Sequence, residues 1–213
     1  MENYKGEDMK TLTKAEIQPL VINLIDSIGK GEMKKVVVVQ LYGIGATKIV
    51  LDRIIVLITD LIETFSDGIQ ITDVSYLFSH LDDLIDIGKN YNEAVKECKE
   101  LNYEEQEELI KFIVSKLIEL FKPLKSTSGN LYDVQNINIF IWDLKALIQK
   151  GIYIFKDGLQ LRDIAEFIKL AGIMTTLAFN FKNVMNEIKD LNDDELNKVI
   201  AAMTEMIYGI LAE

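Results

Sequence analysis

Apolar residues recur along the chain at spacings of three and four, the period of an amphipathic helix. One stripe runs Ile17, Leu20, Val21, Leu24, Ile25 and Ile28. A second runs Leu109, Ile110, Ile113, Leu117 and Leu120, and a third Leu196, Val199, Ile200, Met203, Ile207 and Ile210. Each follows the same polar signature, K-x-L-[TN]-x-x-E: Lys10 to Glu16, Lys99 to Glu105 and Lys189 to Glu195. Thr13, Asn102 and Asn192 are placed to cap the helix behind them, with Glu16, Glu105 and Glu195 returning a bond three residues on. The Leu before each cap is placed to staple onto the fourth helical position, where Ile17 and Leu196 are apolar and Gln106 is not. Pro19 would remove a backbone bond at the sixth helical position, so the first helix is expected to begin nearer Gln18.

The pattern repeats on a larger scale. Phe65-Ser-Asp-Gly-Ile-Gln-Ile-Thr-Asp73 and Phe155-Lys-Asp-Gly-Leu-Gln-Leu-Arg-Asp163 are identical at five of nine positions, 90 residues apart. The same offset holds without a gap from Leu41 to Pro123, pairing Leu41-Tyr42 with Leu131-Tyr132 and Asn90 with Asn180. Residues 34–123 and 124–213 thus read as two copies of one unit, and residues 1–33 as a partial third copy holding only the last helix. Gly68 and Gly158, after Asp67 and Asp157, suit a positive φ at the end of a helix. Asp73 and Asp163 are candidate caps for the next one.

The predicted fold is all-α: two tandem units of three helices each, plus an N-terminal helix. Helix A spans 46–65 and 136–155, helix B 73–95 and 163–188, helix C 102–121 and 193–211. Val36–Val39 suits a short strand, and the triplets starting at Ile69 and Leu159 suit a small bridge. Lys122 to Asn130 marks the unit boundary. Leu170 to Phe181 is apolar almost all round, which predicts a helix buried in this chain or against a partner.

Composition narrows the function. The chain of 213 residues has 2 prolines and carries a net charge of −11. That charge argues against nucleic acid, which demands a basic face, and against anionic membranes. The polar, acidic N-terminus is no signal peptide, and the longest charge-free runs (Val36 to Thr47, Leu170 to Phe181) are too short for a membrane span. A single cysteine, Cys98, forms no intrachain disulfide and fits a reducing compartment.

Candidate chemistry is sparse. His80 is the only histidine. With one His and one Cys, the usual zinc sites, Ser or Cys triads and di-iron bundles lack their ligands. Cys98 aligns with Ile188, which suggests a buried thiol. Gly43-Ile-Gly-Ala-Thr-Lys48 falls short of a phosphate loop. Asp82, Asp83 and Asp86 form an acidic cluster, an example of what an enzyme using only carboxylates and Mg²⁺ would draw on. No catalytic residue, cofactor or metal is expected. Ile139, Phe140 and Trp142 are either core or a candidate protein interface.

The D-G-x-Q-[IL]-x-D turn, a long helix and K-[ED]-L-N-x-x-E, over residues 65–121 and 155–211, resemble small helical proteins encoded among the structural genes of tailed bacteriophages. The resemblance implies a non-enzymatic virion or assembly component, capsid- or tail-associated, present in the host cytoplasm and then in the particle. Its partners would be itself and other structural proteins, with an oligomer expected. The alternative is a small-ligand or regulatory module with a pocket between the two units, lined by Tyr42, Tyr132 and Trp142.

Overall fold

A computed structural model describes residues 14–29, 44–65, 81–125, 134–158, 160 and 163–212. Seven α-helices lie among them: α1 Lys14–Gly29, α2 Gly45–Phe65, α3 Leu81–Glu100, α4 Tyr103–Phe121, α5 Gln135–Phe155, α6 Ile164–Asp190 and α7 Asp193–Ala212. A 3-10 turn, Lys122–Leu124, follows α4. The fold is all-α, and no strand occurs among the described residues. Val36–Val39, Ile69–Ile71, Thr13, Asp67, Gly68, Asp73 and His80 lie outside them.

The helices form two antiparallel hairpins, α2–α3 and α5–α6, with α3 laid against α5. The three helices that follow the K-x-L signature, α1, α4 and α7, pack on one another beside them. All buried apolar residues join a single core, so the two stretches of the chain share an interior. Phe181 sits at a junction within it. Its ring lies 5.6 Å from Phe65 of α2 and 5.6 Å from Phe140 of α5, within the range of favourable aromatic pairs.

The crossing of α3 over α5 depends on two glycines. A methyl on Gly88 would stand 2.5 Å from Phe155 Cβ and 3.1 Å from its carbonyl carbon. One on Gly151 would stand 3.0 Å from Leu84 Cδ2. No side chain fits at Gly88 unless the helices move apart.

Local signals held where they are local. Asn102 and Glu105 form a reciprocal capping box at α4, and Asn192 and Glu195 exchange the same two bonds at α7. Gly158 takes φ +78° after α5. Leu101 and Leu191 are both buried.

Two expectations are corrected, and a third is met on one face. The first helix begins at Lys14, with Pro19 inside it. Ala15 and Pro19 are both exposed, so the carbonyl that Pro19 leaves without a donor can face water. Asp163 makes no cap bond to α6; its carboxylate turns back to accept the Gln160 N–H at 2.7 Å. The stretch Leu170 to Phe181 is buried on one face only: Leu170, Met174, Leu177, Ala178 and Phe181 point inward, while Gly172, Thr175, Thr176 and Phe179 are exposed.

Candidate functional site

Several polar groups tie one helix to another. At the end of α3, the Glu97 carboxylate accepts the N–H groups of Ala46 (3.1 Å) and Thr47 (2.7 Å), which open α2. At the end of α6, 90 residues on, buried Glu187 accepts the N–H groups of Asn136 (3.1 Å) and Ile137 (2.8 Å), which open α5. A helix N-terminus presents unpaired N–H groups and a positive dipole end. In each hairpin the second helix supplies the anion that satisfies them. The glycine-rich stretch ending at Lys48 therefore has no vacant phosphate cradle, because Glu97 already occupies that helix end.

The Thr47 hydroxyl extends the first of these clusters. It lies 2.8 Å from Glu97 Oε2, 3.2 Å from the Ala94 carbonyl and 3.6 Å from Cys98 Sγ. Cys98 is buried, and desolvation pushes its thiol pKa up, the opposite of an activated nucleophile. Gln106, at the staple position where an apolar residue was wanted, is buried instead as a polar link. Its Nε2 donates to the Leu101 carbonyl at 2.8 Å, and its Oε1 accepts from the Tyr208 hydroxyl at 3.0 Å. Burial pushes the Tyr208 pKa up to about 12.

The acidic cluster on α3 is neutralised in place. Arg53 of α2 donates to Asp83 at 3.0 Å and pairs with Asp86 at 2.9 Å. Asp83 and Asp86 are three residues apart and share a helix face, so one guanidinium spans both. No group of three or more His, Cys, Asp and Glu that could hold a metal is found among the described residues. Asp82 is exposed on the surface of α3.

A groove of about 360 Å³ opens between α1, α5 and α7. Ile17, Ile141, Trp142, Met206 and Tyr208 line it, with Ala202, Gly209 and Ala212 leaving the space and Asn138, Lys145 and Glu205 supplying polar groups. At the positions 90 residues earlier, Ala202, Gly209 and Ala212 are Phe112, Glu119 and Lys122. The opening belongs to the second half of the chain. The structure splits the Ile139–Trp142 group: Phe140 is core, Ile139 is 41 % exposed and Trp142 is 74 % exposed. Tyr42 and Tyr132 lie outside the described residues.

The other concentration of unusual surface is the outside of the α5–α6 hairpin. Trp142, Tyr153, Ile164, Ile168 and Phe179 are each more than half exposed there. Lys169, Lys182 and Lys189 are exposed on α6, and Asp143 of α5 is partly exposed. The acids Glu187 and Asp190 are buried, and Glu166 is held by Lys150 and Lys169, which lower its pKa. At 27 residues, α6 is the one helix among those described that is long and apolar enough to cross a membrane by length and composition. A helix with one face packed in a protein core meets the same criteria, and the inner face of α6 packs on α5 and α2.

No protein-family model, no curated protein and no solved structure matches the chain.

Proposed function

We propose that this protein is a non-enzymatic assembly component, built by internal duplication, that works by presenting helical faces to other proteins. The observation that carries this reading is the α5–α6 hairpin, where Trp142, Tyr153, Ile164, Ile168 and Phe179 are each more than half exposed. Scattered single apolar residues are ordinary on a surface, but a concentration of them on one element is the mark of an interaction face. Among the described candidates, Asp83 and Asp86 pair with Arg53, and Glu97 and Glu187 cap helices. The duplication draws support from the clamps at Glu97 and Glu187 and from the capping boxes at Asn102 and Asn192, each pair 90 residues apart. The phage-like turn and cap motifs are the ground for placing the assembly in a virion.

Solution mass by light scattering, over a range of concentrations, tests the proposal. An oligomer or a concentration-dependent mass is expected. A monomer throughout, with no protein recovered in stable complex from a phage-infected host, would contradict it.

The groove at Trp142 favours a second reading, a small-ligand module, since its volume lies within the range of small-molecule sites and its walls are largely apolar. Ala202→Phe places in the groove the residue found 90 positions earlier. If the groove binds ligand, a hydrophobic dye that quenches or shifts Trp142 fluorescence in the wild type will have no effect on the variant. Equal response of both proteins would remove that reading.

A further inference from the structure

We infer that the groove between α1, α5 and α7 binds an uncharged aromatic small molecule, an inference that rests on the small-ligand reading and names the class of ligand. Ile17, Ile141, Met206 and Tyr208 line the groove and are buried, while Trp142 beside them is 74 % exposed. A methyl added to Gly209 would meet nothing within 4 Å, so the α7 wall leaves open space.

Charge sets the class. Asn138 and Trp142 on α5 stand 90 positions after Lys48 and Asp52. Met206, Gly209 and Ala212 on α7 stand 90 positions after Lys116, Glu119 and Lys122. Five positions that are charged in the first half of the chain are thus neutral at the groove. Its two charged residues, Lys145 and Glu205, are opposite in sign, and each already interacts with another group of the chain. A charged ligand would find no vacant counter-charge there, and burying a charge unpaired is costly.

The polar atoms left over suit a neutral group. The Tyr208 hydroxyl is committed to Gln106. The Trp142 indole N–H and the Asn138 amide, one helical turn apart on α5, have no hydrogen-bond partner among the described residues. A flat ring gains from the indole and from the Met206 thioether, and a hydroxyl or carbonyl on that ring completes a hydrogen bond with Asn138.

Calorimetric titration of the full chain at neutral pH tests this with 2-naphthol, 2-naphthoate and 2-naphthylmethylammonium, which share a ring system and differ in charge. Gly209→Phe and Ala202→Phe fill the groove from α7, and Asn138→Ala removes the amide. Unchanged circular dichroism and melting confirm which variants fold. The expected result is that 2-naphthol binds about tenfold more tightly than either charged analogue, that a folded groove-filling variant abolishes binding, and that Asn138→Ala weakens it about fivefold. A charged analogue that binds as tightly as 2-naphthol overturns the uncharged class and leaves the small-ligand reading in place. Binding of 2-naphthol that survives both filling variants overturns the groove as its site. Binding of none of the three overturns the aromatic class, and the dye comparison between wild type and Ala202→Phe then decides the small-ligand reading separately.

Discussion

The hairpins α2–α3 and α5–α6 are joined internally in the same way and finished differently on the outside. In both, a glutamate near the end of the second helix binds the first N–H groups of the first. Away from that clamp they diverge. Arg53, Asp83 and Asp86 tie α2 to α3 through two ion pairs. The residues 90 positions later are Asp143, Ile173 and Thr176, which offer no cation, and desolvation raises the Asp143 pKa. Lys89 on the surface of α3 becomes Phe179 on α6, and Asp82 becomes Gly172. One hairpin carries mixed charge suited to water. The other exposes aromatic and aliphatic side chains beside three lysines. The contact the two hairpins share is internal, and what differs between them lies on the outside, which is where function is most economically sought.

Substitutions at the shared clamp should have the largest effect. Glu187→Ala strips a buried carboxylate from two backbone donors, one of them the N–H of buried Ile137. A loss of about 3 kcal/mol is expected in urea unfolding, since charge-assisted bonds and an unsatisfied buried donor both contribute. Glu97→Ala, at a half-buried clamp, should cost about 2 kcal/mol by the same reasoning. Equal, negligible losses would mean that the clamps are incidental.

Glycines separate the hairpins next. Gly88→Ala drives a methyl into Phe155 and should destabilise by about 2 kcal/mol, the cost of overpacking a close helix crossing. Gly172→Ala meets nothing within 4 Å, so higher helix propensity should stabilise the protein by about 0.5–1 kcal/mol. Opposite signs in thermal melts are the expected outcome.

Arg53→Gln should cost about 1 kcal/mol, because it removes two ion pairs, one to the buried Asp83. Its counterpart in the second hairpin, Asp143→Asn, should stabilise slightly or leave the melt unchanged, as burial already disfavours that charge.

Tyr208→Phe should cost about 1 kcal/mol at neutral pH, for one buried hydrogen bond. Its signature lies in pH. The folded pKa stands above the ordinary value of 10.0, at about 12. The folded state therefore holds the proton more tightly, and this contribution is complete below the unfolded pKa and lost as pH rises through the folded one. Wild-type stability should fall steeply across that alkaline window, and the Phe variant should fall less.

Much of the fold was legible because its signals are local. Caps at Asn102 and Asn192, the turn at Gly158 and the helical stripes each depend on residues within a few positions of one another. Contacts between distant segments were not legible. Glu97 meets Thr47, and Glu187 meets Ile137, across about fifty residues, although the 90-residue identity of the two glutamates was available as a clue. Arg53 was overlooked beside the acidic cluster it neutralises, because spacing along α3 reveals nothing about what α2 brings to it. Gln106 looked like a defect in a staple and is a buried link to Tyr208, 102 residues away. The exposed face of α6 was hidden by counting apolar residues without asking where threonine and glycine fall around the helix. Of the candidate interface residues, the sequence could not divide Phe140 from Trp142, since two positions along a helix decide between core and solvent.

Hydroxyl-radical footprinting of dilute and concentrated protein tests the central claim most directly, by reading which side chains lose access to solvent on association. The account predicts that Phe179 and Ile168 become protected on concentration while Ile22 and Ile49, exposed elsewhere, stay reactive. Unchanged labelling of Phe179 and Ile168 in a protein that does associate would contradict the claim that α6 presents the working face.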